Sequence, residues 1–178
     1  MHAQISRWLG ELDACTTHAR RLAERAGDDG FRRRPSSGRW SLGEHLAHLN
    51  LTTEAYLPIL DGLHAANATA PRDMGRRYSS DWLGAFLVWT VEPPVRLMRV
   101  KTPPSFVPSA EAPRAQVMAA FEHLNGALAA SVATLSGLDL NAARVASPFA
   151  PNVHYNGWTA VTVLTAHQRR HLWLAEHG

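Results

Sequence analysis

Four stretches of the chain repeat apolar residues at intervals of three and four, the spacing that lines one face of an α-helix. In the first, from Ile5 to Ala26, the residues Ile5, Trp8, Leu9, Leu12, Thr16, Ala19, Leu22 and Ala23 form one stripe. The glycines and proline of GDDGFRRRPSSGR (27–39) then interrupt it. The second begins at Ser41-Leu-Gly-Glu44, a capping box in which the Ser41 hydroxyl accepts from the Glu44 N–H and the Glu44 carboxylate accepts from the Ser41 N–H. Leu42, Leu46, Leu49, Tyr56, Leu57 and Leu60 carry its stripe, and Pro58 is expected to kink or shorten its last turn. The third runs from Pro113, a residue suited to a first turn, to Leu135, with Val117, Phe121, Leu124, Leu128 and Val132 inward. The fourth spans Thr159–Glu176, with Ala160, Val161, Leu164, His167, His171 and Leu174 on one seam.

The connection between the second and third stretches, 62–112, is too long to be structureless in a compact domain. SSDWLGAFLVWTVEPP (79–94) predicts a further helix, capped by Ser80 or Asp81 and ended by Pro93-Pro94. VKTPPSFVPSAEAP (100–113) is proline-rich and expected to run extended along the surface. SPFAPNVHYNGWT (147–159) reads as a loop, and no set of alternating strands stands out. The expected fold class is therefore all-α: a four-helix bundle with a long, helix-containing connection between helices two and three, as one domain over 1–178.

Composition narrows the function classes. No apolar run reaches the roughly 18 residues of a membrane span, and the N-terminal MHAQISRWLGELDACTTHARRL carries Arg7, Glu11 and Asp13, unlike a signal peptide. Cys15 is the single cysteine, which excludes an internal disulfide. A cytoplasmic protein fits both observations. The net charge is +3, but 17 of the 18 basic residues are Arg, Lys101 being the other. Beside so many alanines this skew points to a GC-rich genome rather than to nucleic-acid binding, and no nucleic-acid reading module is present. FRRRP (31–35) reads as a solvated loop.

The chemistry-bearing residues are histidines. His167 and His171 are four apart, so they are neighbours on one helix face, and that face is the apolar seam. Two imidazoles so placed can converge on one ion. The spacing resembles the HExxH of zinc proteases, but Gln168 stands where the general-base glutamate would be. A third donor must come from another helix. His45 and His48 both lie in the second helix; at a spacing of three only one is expected to face the core, and His45 sits where it can pack against Trp40. His2 and His177 are expected to be solvated, His18, His64 and His123 structural or exposed, and His154 a candidate for a pocket mouth.

RWSLGEHLAHL (39–49) resembles the Trp-Ser-x-x-Glu-x-Leu-x-His-Leu signature of the DinB-like (YfiT-like) superfamily through Trp40, Ser41, Glu44, Leu46, His48 and Leu49. The late His-x-x-x-His pair of that family, followed by an apolar residue, is matched by His167, His171 and Leu172. The order of the two signatures and the long intervening loop also match. The resemblance implies an up-down-down-up four-helix bundle, often dimeric, and a divalent metal (nickel, zinc or iron) bound by His48, His167 and His171. It also implies a small-molecule substrate. Some relatives use a low-molecular-weight thiol, such as bacillithiol or mycothiol, in transferase or isomerase reactions.

Three neutral imidazoles leave an ion its charge and open positions, the arrangement of a catalytic site rather than a closed structural one. That favours a metal-dependent enzyme, a transferase or a hydrolase-like one, with a thiol-dependent S-transferase as its most specific form. The alternative is a non-catalytic helical bundle that binds a ligand or partner around a structural or vestigial metal centre, because no general base is evident. Around the site, Glu44 is expected to be occupied by capping, and Gln168 could hold water or substrate. Asp81, Trp82, Tyr155 and Trp158 could wall a pocket, and Arg39 could meet an anionic thiol. Arg169 and Arg170 should point outward to solvent or a subunit interface, and Cys15 should be a small buried thiol.

Overall fold

The stripe from Ile5 to Ala23 becomes the inner face of helix α1 (Ala3–Arg32), with Leu9 alone partly exposed. The structure is a computed structural model that describes residues 1–94 and 102–178; Val100 and Lys101 of the proline-rich stretch lie outside them. His2 caps α1, its Nδ1 accepting from the Gln4 N–H and its Nε2 donating to the Arg76 carbonyl at 2.6 Å. It is therefore buried, not solvated as the sequence suggested. The break expected after Ala26 is present: Gly27 takes a positive φ of 61° and leaves the helical conformation, which kinks α1, and the helical stretch beyond it buries Phe31 completely. The Phe31 ring packs so closely on the first turn of α2 that a Cβ on Gly43 would lie 2.7 Å from it.

Helix α2 (Leu42–Ala66) starts at the capping box foreseen from Ser41 and Glu44, with both reciprocal hydrogen bonds present. Pro58 does not shorten it. Pro58 and Glu54 both face solvent, so water can satisfy the Glu54 carbonyl that loses its N–H partner. Helix α3 (Trp82–Val91) is capped by Asp81, which accepts from the Gly84 N–H, and stops before Pro93-Pro94. A single 3₁₀ turn, Pro104–Phe106, precedes helix α4 (Arg114–Thr134), with Pro113 at its cap rather than inside it. The stretch 147–159, expected to be a plain loop, holds the second strand of a short antiparallel hairpin whose first strand just precedes it: β1 (Arg144–Ala146) and β2 (His154–Asn156), with Val145 opposite Tyr155. Strands of three residues are too short to display a period of two, so the pattern could not announce them. Asn156 then caps α5 (Gly157–His177).

Contacts fix the helix directions. Trp8 meets Val161 and Arg25 meets Glu176, so α1 and α5 run parallel. Tyr56 meets Tyr155 and His48 meets His167, so α2 opposes α5. Asn50 meets Val117 and Ser131 meets Asp61, so α4 runs with α2. The bundle is up-down-down-up, and the chain must return along its length between the parallel α2 and α4. That return is the segment holding α3.

Two apolar clusters fill the bundle. One joins Ile5, Trp8 and Leu12 to Leu60, Leu128 and Leu164; the other joins Ala19 and Phe31 to Leu46, Leu49, Phe121 and Leu172. Between them lies a buried polar layer: Gln168 donates to Asn125 at 2.7 Å, and Asn125 donates to Thr16 at 2.9 Å. Among the described residues no helix is long and apolar enough to cross a membrane.

Helix α3 reaches the bundle through Gly84, where a Cβ would sit 2.0 Å from the hydroxyl oxygen of the fully buried Thr159. Thr159 is held by Asn156 and cannot turn aside without losing that bond. Gly84→Ala is expected to lower stability by about 1–3 kcal/mol, seen as a lower urea midpoint with unchanged helical circular dichroism; an unchanged midpoint would show that α3 floats free of α5.

Candidate metal centre

Because α2 opposes α5, the first turns of one lie beside the last turns of the other. The capping box sets where α2 begins, and so places His48 in its second turn, on the face turned to α5. His167 and His171 follow one turn apart on α5. The three Nε2 atoms converge: His167 Nε2 lies 3.1 Å from His171 Nε2 and 3.4 Å from His48 Nε2. Ligand atoms of all three residues fall within 4.8 Å of one another. Nitrogens bound tetrahedrally at 2.0–2.1 Å from one ion would stand about 3.3 Å apart, so the spacing suits a divalent cation.

The proton positions agree with that fit. His48 Nδ1 is 2.8 Å from the Phe106 carbonyl. A carbonyl only accepts, so Nδ1 carries the ring's proton and Nε2 presents a lone pair. His171 Nδ1 is 2.9 Å from His45 Nδ1. A single imidazole N–H at the centre could serve two facing lone pairs only by splitting between them, whereas a cation accepts from all three nitrogens at once. These residues could hold a metal ion through His48, His167 and His171.

The surroundings keep the rings neutral. Burial, with His48 nearby, pushes His45 down to about 4; burial, with His48 and Arg170, pushes His167 down to about 3. Burial lowers His48 as well, against the opposing pull of the Phe106 carbonyl, and it takes His171 far below the ordinary range. Trp40 lies over the group, its ring 5.1 Å from that of His48 and 5.9 Å from that of His171, nearly parallel to the latter. On the other side Phe149 approaches His167 at 5.9 Å and packs on Phe106 at 4.5 Å.

Several expectations need correction. His45 and His48 are both buried, so His45 is a fourth member of the histidine group as well as a partner of Trp40. The expectation of one inward histidine fails because Trp40 folds back over the helix start and covers both. Gln168 does not face the site; it is sealed in the polar layer with Asn125. Arg169 is not turned out to solvent but is paired with Glu11 and, through two bonds, with Glu92; Arg170 donates to the Thr90 carbonyl. Both arginines tie the end of α3 to α5. Trp82 is exposed and Trp158 is stacked on Tyr78 in the core, so neither walls the site. His154 is exposed on β2.

Glu44 is spent, as its capping role suggested. Burial would raise its carboxyl, but Arg34 and Ser41 outweigh that and hold it lowered. Arg34 grips it through two bonds, so part of the FRRRP cluster is an ion-pair partner rather than free surface. Cys15 is buried, and burial pushes its thiol up to about 11, which makes it inert as a nucleophile. Arg39 is exposed beside Trp40. The Phe106 carbonyl and Phe149 were not foreseen; both arrive from connections, and no spacing rule links them to the helical histidines.

The sequence model of the DinB superfamily matches residues 11–175, which include all three converging histidines, and the chain belongs to that superfamily. No curated protein and no solved structure matches it significantly.

The depressed histidines make stability depend on pH. The unfolded chain takes up protons as pH falls through about 6.5, whereas His45 and His167 in the fold stay neutral down to about 4 and about 3. Between those limits the unfolded state binds more protons, so stability falls with falling pH. The metal-free protein is expected to lose stability between pH 6.5 and 5, each such histidine adding up to about 1.4 kcal/mol per pH unit. Urea midpoints across that window check it, and a flat profile would contradict neutral burial.

Proposed function

We propose that the protein is a metal-dependent enzyme acting on a small molecule, with one divalent ion (nickel, zinc or iron) held by Nε2 of His48, His167 and His171. The observation that carries this reading is the convergence of three imidazole nitrogens whose rings are kept neutral by burial. A divalent ion held by three neutral donors supplies Lewis acidity toward a thiol or carbonyl that reaches its remaining positions.

The chain's own residues do the rest. The Phe106 carbonyl holds the His48 ring in the tautomer that offers Nε2. Trp40, Phe106 and Phe149 surround the histidines with aromatic surface, which keeps bulk water from the donor nitrogens and gives an apolar substrate body something to pack on. His167, only partly buried, is the ring through which the group meets the outside. Within this reading the most specific reaction is transfer to a low-molecular-weight thiol. An ion held by His48, His167 and His171 would make a bound thiol more acidic, and its proton would pass to solvent at the partly exposed His167 side rather than to a carboxylate of the protein. We further propose one cytoplasmic domain over 1–178 that forms a homodimer, which light scattering on the purified protein would test.

One observation favours the second reading, a non-catalytic binding module with a structural or vestigial metal centre. Glu44 is bound by Arg34 and the helix cap, and Gln168 is sealed in the core, so neither is available to move a proton at the site.

Elemental analysis of untagged protein is expected to find about one divalent ion per chain, the content of a three-histidine site. His48→Ala, His167→Ala and His171→Ala should each lose it while remaining helical. Stripping the ion should abolish thiol-dependent turnover on a panel of electrophiles and also lower the Tm. A lower Tm on stripping, with no turnover before or after it, would favour the binding module; no metal after reconstitution with nickel, zinc or iron would end the enzyme reading.

A further inference from the structure

We infer that His45 is a positioning residue of the metal centre: it accepts the Nδ1–H of His171 and so turns the Nε2 lone pair of that ring toward His48 and His167. The inference rests on the metal reading above and assigns a role to a residue outside the three donors.

The argument is a count of protons. A neutral imidazole carries one N–H. The Nδ1 atoms of His45 and His171 are 2.9 Å apart, a hydrogen-bond distance, so one proton lies between them. If His45 supplied it, His171 would be left with its own proton on Nε2, aimed at His167 Nε2 3.1 Å away, and could not bind an ion there. If His171 supplies it, Nε2 is bare and joins the other two. Histidine ligands ordinarily donate their second N–H to a carboxylate or a carbonyl. His48 does so, to Phe106. For His171 the partner on that side is another imidazole, that of His45, and Glu44, the acid next to His45 in sequence, is held by Arg34 and Ser41.

The packing keeps His45 in place for this task. It is buried, and Trp40 meets its ring edge-on at 5.5 Å while lying nearly parallel to His171. The two rings are thus clamped under one indole. Binding an ion selects one of the two tautomers of the pair, so His45 couples the proton arrangement behind the site to the occupancy in front of it.

The test uses zinc as the probe. In zinc-loaded wild-type protein, long-range ¹H–¹⁵N correlation is expected to show the proton on His171 Nδ1, with His45 Nδ1 bare and its Nε2 protonated. Competition with a chromophoric chelator should show His45→Phe, which keeps a ring and removes the acceptor, binding zinc about 10–100-fold more weakly. His45→Asn, whose amide oxygen can take the place of Nδ1, should recover affinity to within a few-fold of wild type. The opposite tautomer in the wild type overturns the inference whether or not the variants fold. So does a Phe variant that binds zinc as tightly as wild type, or an Asn variant as weak as the Phe variant. In the two variant outcomes wild-type zinc binding persists and the three-histidine reading stands, whereas the opposite tautomer would also take His171 out of the donor set. Wild-type protein that binds no zinc overturns both.

Discussion

Four imidazoles packed side by side between α2 and α5, three of them buried and His167 partly so, cannot carry charge together. Each is half a donor and half an acceptor, and the low-dielectric surroundings that hold them neutral also make every unmatched lone pair costly. The Phe106 carbonyl settles one ring, and the His45–His171 contact constrains two more. What remains is a cluster of nitrogens facing inward. A cation could answer that arrangement, as the proposed reading has it, and the register of α5 against α2 holds those nitrogens where they are.

Holding them requires the register of α5 against α2, and polar contacts on both sides of the histidines supply it. Toward the start of α5, the Tyr56 and Tyr155 hydroxyls meet at 2.5 Å. Within the histidine turn itself, Gln168 points the other way and locks onto Asn125 of α4. A slide of one helix by a turn would leave these buried groups without partners, whereas the apolar clusters above and below would tolerate it better. Arg169 adds a third anchor by fastening α5 to Glu11 and Glu92. Successive residues of one turn thus do different work: His167 and His171 face α2, Gln168 faces α4, and Arg169 and Arg170 hold α3.

Membership of the DinB superfamily accounts for the bundle and agrees with a metal-binding site. It leaves the reaction to be read from the surroundings. Those are aromatic and apolar, with the nearest acid in sequence withdrawn into a helix cap. Under the proposed reading those surroundings suit activation of a donor by a bound ion rather than hydrolysis by a carboxylate base. That is why Gln168 matters in two ways: it removes the glutamate of the protease-like motif, and it uses the position for packing.

Much of this was legible in the chain. Helical periodicity and the Ser41–Glu44 box determined α2, and with it the face on which His48 lies; the four-residue spacing put His167 and His171 on one seam. These are properties of a single helix, set by its own period and its own cap. The position of His45 under Trp40, the Gln168–Asn125 pair, the arginine clasp on α3 and the carbonyl behind His48 were decided only by the tertiary structure. Each joins residues 43 to 80 positions apart, or depends on a chain that folds back over a helix end. Local pattern says which face a side chain occupies. Which group meets it there depends on how the helices are set against one another, and that is a property of the whole packed bundle.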